Sequence, residues 1–239
     1  MIKIENVEVV GWEHAIRGMR NPKNSWDRSD SHICEVTTTD EFGGCDYFRK
    51  KEGEVSFCTQ PYIVGPNDHK LMMSLAAGGP VHAKYRRMIA VYLDITAPLY
   101  FWKEFDTYRV GVEKNSCSTM HKIAEKEFTF DDFSCEHLTS RMGESFESMD
   151  LMNMIIGHLE ANRKLYLAAN DSDEAKRYWW QMIQLLPSSY NQKRTVMLNY
   201  EVLHNMYISR KNHKLDEWRD FCKWIESLPY SELITGNEL

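Results

Sequence analysis

The sequence predicts one α/β (α+β) domain spanning residues 1–239. Three observations predict it. Residues 88–95, MIAVYLDI, put Ile89, Val91, Leu93 and Ile95 on one face at period two, the pattern of a half-buried strand. Four later segments, 149–169, 173–186, 195–210 and 215–228, carry apolar residues at helical spacing. The 239 residues suffice for a sizeable core, and no internal repeat or low-complexity linker divides them.

Residues 2–10, IKIENVEVV, alternate imperfectly and read as an edge strand. A short helix over 12–19 is broken by Asn21-Pro22. Residues 31–64 are rich in Thr, Val, Phe and Tyr with Gly43-Gly44 and Gly53 at turn points, and predict a strand or hairpin insertion. Gly65-Pro66-Asn67-Asp68 makes a turn and cap for a helix over 69–77 (Leu71, Met72 and Leu75 apolar), closed by Gly78-Gly79-Pro80. After the strand at 88–95, Thr96 can cap and Pro98 can open a helix over 98–108 carrying Leu99, Trp102 and Phe105. Residues 109–122 read as irregular. The helix over 149–169 carries its stripe on Leu151, Met154, Ile155, His158, Leu159 and Leu165. The next holds Trp179, Trp180 and Ile183, a long helix covers 195–210, and the last holds Trp218, Phe221, Cys222 and Trp224.

A net charge of −6 argues against a general nucleic-acid binder, leaving room for a local basic pocket for one nucleotide. Aromatics at 12%, with seven Trp, predict flat side chains lining the core, an interface or a ring-binding pocket. The cysteines at 34, 45, 58, 117, 135 and 222 include no CxxC pair and no disulfide framework. The N-terminus lacks the basic start and apolar run of a signal peptide. No stretch approaches the ~20 apolar residues of a membrane span, so a cytoplasmic protein without a membrane partner is expected. His32, Cys34, Cys45 and Cys58 have no standard zinc spacing, and no metal is expected. Nothing around Cys117 sets thiolate character.

Three constellations carry chemistry. On a helix, Asn199, Leu203, Met206 and Arg210 fall at i, i+4, i+7 and i+11, one stripe about 16 Å long with polar groups at both ends. Buried without partners these groups would cost ~1–3 kcal/mol each, which a flat ligand with polar ends would relieve; alternatively Arg210 faces water and complements the helix dipole. The segment 107–122 gathers Arg109, Lys114, Asn115, Ser116, Cys117, Ser118, Thr119, His121 and Lys122, a donor density suited to an anion such as phosphate, or to an ordinary polar loop. His82 lies between a helix end and the strand at 88–95, beside Lys84, Arg86 and Arg87, which read as a solvated charge run.

Taken in order, these segments resemble the flavin-dependent thymidylate synthase family. The stretch LLPSSYNQKRTVMLNYEVLHNMYISRKNH (185–213) is similar to the family's Leu-Pro turn, its Asn-bearing helix and the Arg at the helix end followed by His. ITAPLYFWKEFDTYRVGVEKNSCST (95–119) occupies the place of its Ala-Pro helix and arginine-histidine-arginine signature loop. His82 falls where the family has a His before the central strand, and Ser25-Trp26 resembles an early Ser-aromatic step.

The resemblance implies a mostly antiparallel central sheet flanked by helices, in a homotetramer with FAD between subunits. It implies methyl transfer to a pyrimidine deoxynucleotide, dUMP to dTMP, with methylene-tetrahydrofolate as carbon donor and NADPH as a further co-substrate. By position, Arg210 would hold and polarise the uracil ring and His82 would be the active-site His. Ser25, His82, Arg109, Asn199, Asn205 and His213 would contact FAD, and Ser116, Cys117 or Ser118 would stand for the substrate-binding serine. The chain departs from the pattern at Thr107 and Tyr108, where the signature has Arg and His, and at Thr119 and Ile183, where it has phosphate-binding arginines. His121, Lys122 and Lys193 are the candidates to compensate. These substitutions equally suit a homologue that binds a nucleotide or flavin without thymidylate synthesis, or that acts on another pyrimidine nucleotide.

Overall fold

The computed structural model describes residues 2–34, 62–140 and 147–236, and the backbone of two short strands within the intervening 35–61. The order begins with strand β1 (Lys3–Val10), helix α1 (Trp12–Arg20) and short strands β2 (His32–Ile33), β3 (Phe48–Arg49), β4 (Phe57–Cys58) and β5 (Tyr62–Ile63). Helix α2 (Pro66–Ala77), strand β6 (Ala90–Pro98), helix α3 (Leu99–Phe105), strand β7 (Glu113–Ser116) and a helical turn α4 (Thr119–Lys122) follow. Helices α5 (Ser148–Leu167) and α6 (Ser172–Leu185), strand β8 (Asn191–Asn199) and helices α7 (Tyr200–Arg210), α8 (Asp216–Glu226) and α9 (Glu232–Thr235) complete it.

The main sheet has four strands in the order β1-β6-β8-β7, all neighbours antiparallel. Its two faces differ as alternation requires. Val91, Leu93, Ile95 and Ala97 of β6 point one way with Val196 and Leu198 of β8, and all are buried under α1, α3, α7 and α8. On the other face Asp94 accepts from Thr195 Oγ1 at 2.6 Å and Asn6 Nδ2 at 2.9 Å, and Lys193 pairs with Glu5. β1 enters α1 through Gly11, at φ 94; a Cβ there would lie 2.1 Å from the Met88 carbonyl oxygen, so only glycine fits. A second apolar cluster joins α5 and α6 to Ile123, Phe128 and Phe133.

Several expectations need correction. The long helix over 195–210 is two elements. Residues 191–199 pair with β6 along one edge and residues 194–197 with β7 along the other, and the helix starts only at Tyr200. Thr96 caps nothing: β6 continues through Pro98, and the first α3 amides, of Leu99 and Tyr100, donate to the carbonyls of Tyr190 and Ser188. The supposedly irregular 109–122 contains β7 and α4. On α5 the buried stripe is Met152, Ile156 and Leu159, while Leu151, Met154 and Leu165 are exposed, because the second cluster lies on that side. Arg86 is not solvated but buried, 3.6 Å from the Glu201 carboxylate. In the 31–64 segment β2 pairs with β5 and β3 with β4; Gly43-Gly44 and Gly53 lie outside the described residues. Among the described residues no helix is long and apolar enough to cross a membrane.

Candidate functional site

Helix α3 reads LYFWKEF. It buries Phe101, Trp102 and Phe105, which leaves the acidic residues Glu104 and Asp106 on either side of Phe105. Each acid gathers cations over an aromatic ring. Glu104 Oε2 accepts from Arg210 Nη1 at 2.9 Å and from Trp218 Nε1 at 3.0 Å, with His213 Nε2 3.3 Å away. Tyr108, one turn beyond Glu104, accepts from Arg210 Nε at 3.0 Å. The guanidinium carbon lies 4.8 Å from the Trp218 ring centre, a cation–π contact. Asp106 in turn holds Arg194 Nη1 at 2.9 Å and Lys114 Nζ at 3.1 Å, with Arg194 4.3 Å over Trp102. Chemically, the Arg210 end offers a fixed, planar, charged donor beside a carboxylate acceptor, suited to a flat heterocycle with carbonyl groups.

A separate cavity of about 590 Å³ opens where β6, β8 and the end of β7 meet α4; Cys117, Ser118, Lys122, Lys126, Asp132 and Lys193 are among its walls. Its lysines are already matched. Lys122 faces Glu125, Lys126 faces Asp132 and Lys193 faces Glu5. The hydrogen bond to Asp132 raises the Lys126 pKa, and that to Glu5 raises Lys193. A roomier cavity of about 890 Å³ lies elsewhere, between β1, His69, Trp224 and Glu232; no predicted site residue lines it.

Whole-chain comparison with solved structures finds the same fold in known proteins. A crystal structure of Thymidylate Synthase X (ThyX) from Helicobacter pylori with FAD and dUMP superposes at a TM-score of 0.60 with 16% identity, over 99% of this chain and 98% of that one. A second Helicobacter pylori structure, flavin-dependent thymidylate synthase ThyX complexed with FAD and dUMP, gives 0.60 and 16% over 97% and 98%. The chain shares the ThyX fold. No protein-family model and no curated protein sequence matches it.

Within this ThyX-like frame the predicted site residues fall in several places. Arg210 and His213 meet at Glu104. Arg210 therefore faces neither bulk water nor a bare cleft: its side chain is 20% exposed and ion-paired. Cys117 and Ser118 line the smaller cavity, and Ser118 caps α4 by accepting from His121 N; Ser116 is exposed just before them. Ser25 is half-buried, its carbonyl accepting from Arg20 Nη1 at 3.2 Å. His82, Arg109 and Asn205 are exposed and share no hydrogen bond or ion pair with the Glu104 cluster. Asn199 is not on the helical stripe with Arg210. It is the N-cap of α7, its Oδ1 accepting from Val202 N at 3.0 Å. Its amide nitrogen would sit 3.1 Å from any Cβ at Gly111, whose φ of +72 also demands glycine. Asn199→Ala should therefore cost about 1 kcal/mol in a denaturant titration; no loss would mean that the cap is not what starts α7.

Glu104, the acceptor at the centre, was absent from the predicted residues. The available signal was its place four residues before Tyr108 in a segment otherwise crowded with aromatics, although α3 itself ends at Phe105. Among the described residues no cluster of three His, Cys, Asp or Glu side chains could hold a metal ion.

Proposed function

We propose that this chain is a flavin-dependent methyl-transfer protein of the thymidylate synthase type, taking a pyrimidine deoxynucleotide as substrate and methylene-tetrahydrofolate as carbon donor. The observation that carries this reading is agreement in fold over almost the full length of ThyX chains solved with FAD and dUMP. The donor set suits a flavin dinucleotide. Arg109 is exposed and has no ion-pair partner among the described residues, which suits a pyrophosphate. Ser25, His82, Asn205 and the amide nitrogen of Asn199, which has no hydrogen-bond partner among the described residues, would supply the polar contacts to the rest of FAD. Bound there, the flavin would supply reducing equivalents, NADPH being their source, while the protein supplies position and electrostatics. Arg210 would donate to a pyrimidine carbonyl and stabilise charge developing on it. Trp218 would hold its guanidinium in place through the cation–π contact, and His213 would sit beside Glu104 at the edge of the site. Ser116, Cys117 and Ser118, set apart from Arg210 within one chain, would face the phosphate of a substrate bound between subunits. The apolar residues exposed on α5 and α6, including Leu151, Met154, Leu165 and Trp180, offer area for assembly into the homotetramer in which such a site would be shared.

A second reading is a homologue that binds a flavin or nucleotide without thymidylate synthesis, or acts on another pyrimidine nucleotide. The engagement of Tyr108 with Arg210, where the family's signature carries a histidine, favours it. Two measurements separate the readings. FAD titration should give a bound-flavin absorbance band that dUMP perturbs, and tritium release from labelled dUMP should follow when the carbon donor and a reductant are added. Binding without release selects the second reading, and absence of the bound-flavin band removes the flavin from the account. Arg210→Ala should weaken pyrimidine nucleotide binding by about 1.5–3 kcal/mol, the range for a charged hydrogen bond. An unchanged affinity takes Arg210 out of the site.

A further inference from the structure

The cavity of about 890 Å³ lies along β1, the edge strand of the main sheet, and neither Glu104 nor Arg210 lines it. Part of its wall is apolar: Val7 and Val9 of β1, with Trp224, Leu228 and Pro229 from α8 and the turn after it. Val7 is 43% exposed and Trp224 half-buried, so a ligand there would take apolar surface out of water. Trp224 is set by Phe221, whose ring centre lies 5.1 Å away. The charged groups of the wall are acidic. Glu226 and Glu232 line the cavity, and no Lys or Arg stands among its described walls. Both carboxylates are held at one oxygen: Glu226 Oε1 accepts from Tyr207 OH at 2.8 Å, and Glu232 Oε1 meets His69 Nε2 at 2.6 Å. Among the described residues the second oxygen of each takes no hydrogen bond. Tyr230 is fixed in turn, its OH accepting from Val64 N at 2.9 Å and its ring edge-on to Trp12. The cavity is thus preformed, in the size range of small-molecule sites.

We infer that this cavity is a second binding site, for a small organic cation: an ammonium group carried on an apolar body. Glu226 and Glu232 accept the ammonium hydrogens through their second oxygens, and the body lies against Trp224, Val7 and Val9. Charge complementarity selects this class. An anion would meet two carboxylates with no Lys or Arg in the described walls to offset them. A neutral ligand of the same shape would desolvate the carboxylates without supplying a charged donor. An indole ring in the same wall adds cation–π attraction. The site does not depend on the flavin reading, because none of the residues proposed for FAD or dUMP lines it.

The test titrates the wild-type protein with phenethylamine, phenethyl alcohol and hydrocinnamate, similar in body and different in charge, by calorimetry or ligand-observed NMR. The amine is expected to bind about tenfold or more tightly than the alcohol, the difference one charged hydrogen bond makes, and the acid not at all. Glu226→Gln should bring amine and alcohol to within about threefold. Val7→Arg sets a competing cation at the cavity wall and should abolish amine binding. Both positions are exposed, so neither substitution disturbs the core. Equal binding of amine and alcohol to the wild type, no binding of the amine, or undiminished amine binding in Val7→Arg overturns the site. A smaller assembly of Val7→Arg in analytical ultracentrifugation assigns the cavity to a contact between copies of the chain and overturns it as well. Each of these results leaves the flavin reading untouched.

Discussion

Asp68→Ala is expected to destabilise the protein by about 3–5 kcal/mol, the cost of leaving a buried charge without its partner. Asp68 is fully buried and Arg20 is 5% exposed, and they meet at 2.6 Å between the end of α1 and the first turn of α2. The second carboxylate oxygen accepts from the hydroxyls of Ser29 and Ser31 at 2.7 and 2.6 Å and from two backbone amides. Arg20 spends its remaining donors on the carbonyls of Ser25 and Arg28. One ion pair therefore pins the whole 21–31 connection, Ser25 included. Burial pushes the Asp68 carboxyl up, but Ser31, Ser29 and Arg20 outweigh it and hold the pKa below its ordinary value. A depressed folded pKa contributes stability above the unfolded value of about 3.9 and loses it as the pH falls through the lower folded value. Urea titrations should thus show the gap between wild type and Asp68→Ala at full size at pH 7 and shrinking below about pH 4. A gap that is independent of pH would mean that the charge of Asp68 is not what the fold uses.

Trp218→Ala should cost a similar amount, about 3–5 kcal/mol, through loss of a large buried ring. Trp218 has no exposed surface. Its ring centre lies 4.7 Å from Phe101 and 5.9 Å from Phe105, with which it stacks at 9°. The same ring supports the Arg210 guanidinium and donates to Glu104. Trp218→Phe separates these roles: it keeps most of the packing but removes the Nε1 donor, so thermal unfolding should show a smaller loss than for alanine. Equal losses would place the energy in the hydrogen bond and not in the ring.

Local pattern made some elements legible. The alternation Ile89, Val91, Leu93, Ile95 marks β6, and all four side chains are buried on one face. Helices α1 and α8 follow from their amphipathic spacing and from the breakers that flank them. The error at 195–210 has a definite cause. Val196 and Leu198 obey period two while Leu203 and Met206 obey the helical period, and the periods abut at Asn199, both the last strand residue and the helix cap. A short apolar run does not declare its period. On α5 two apolar stripes compete, Leu151 and Met154 against Met152, Ile156 and Leu159, and only the packing partner chooses between them.

By itself, then, the sequence determined the one-sided central strand, most of the helices and a resemblance that points to the ThyX fold. Tertiary structure alone decided the chemistry at Arg210. Glu104 lies 106 residues away in the chain, and nothing local couples them. They meet because the aromatic face of α3 packs on Trp218 of α8, which brings the end of α7 alongside. Such contacts depend on how buried faces interlock, whereas periodicity reports only which faces are buried.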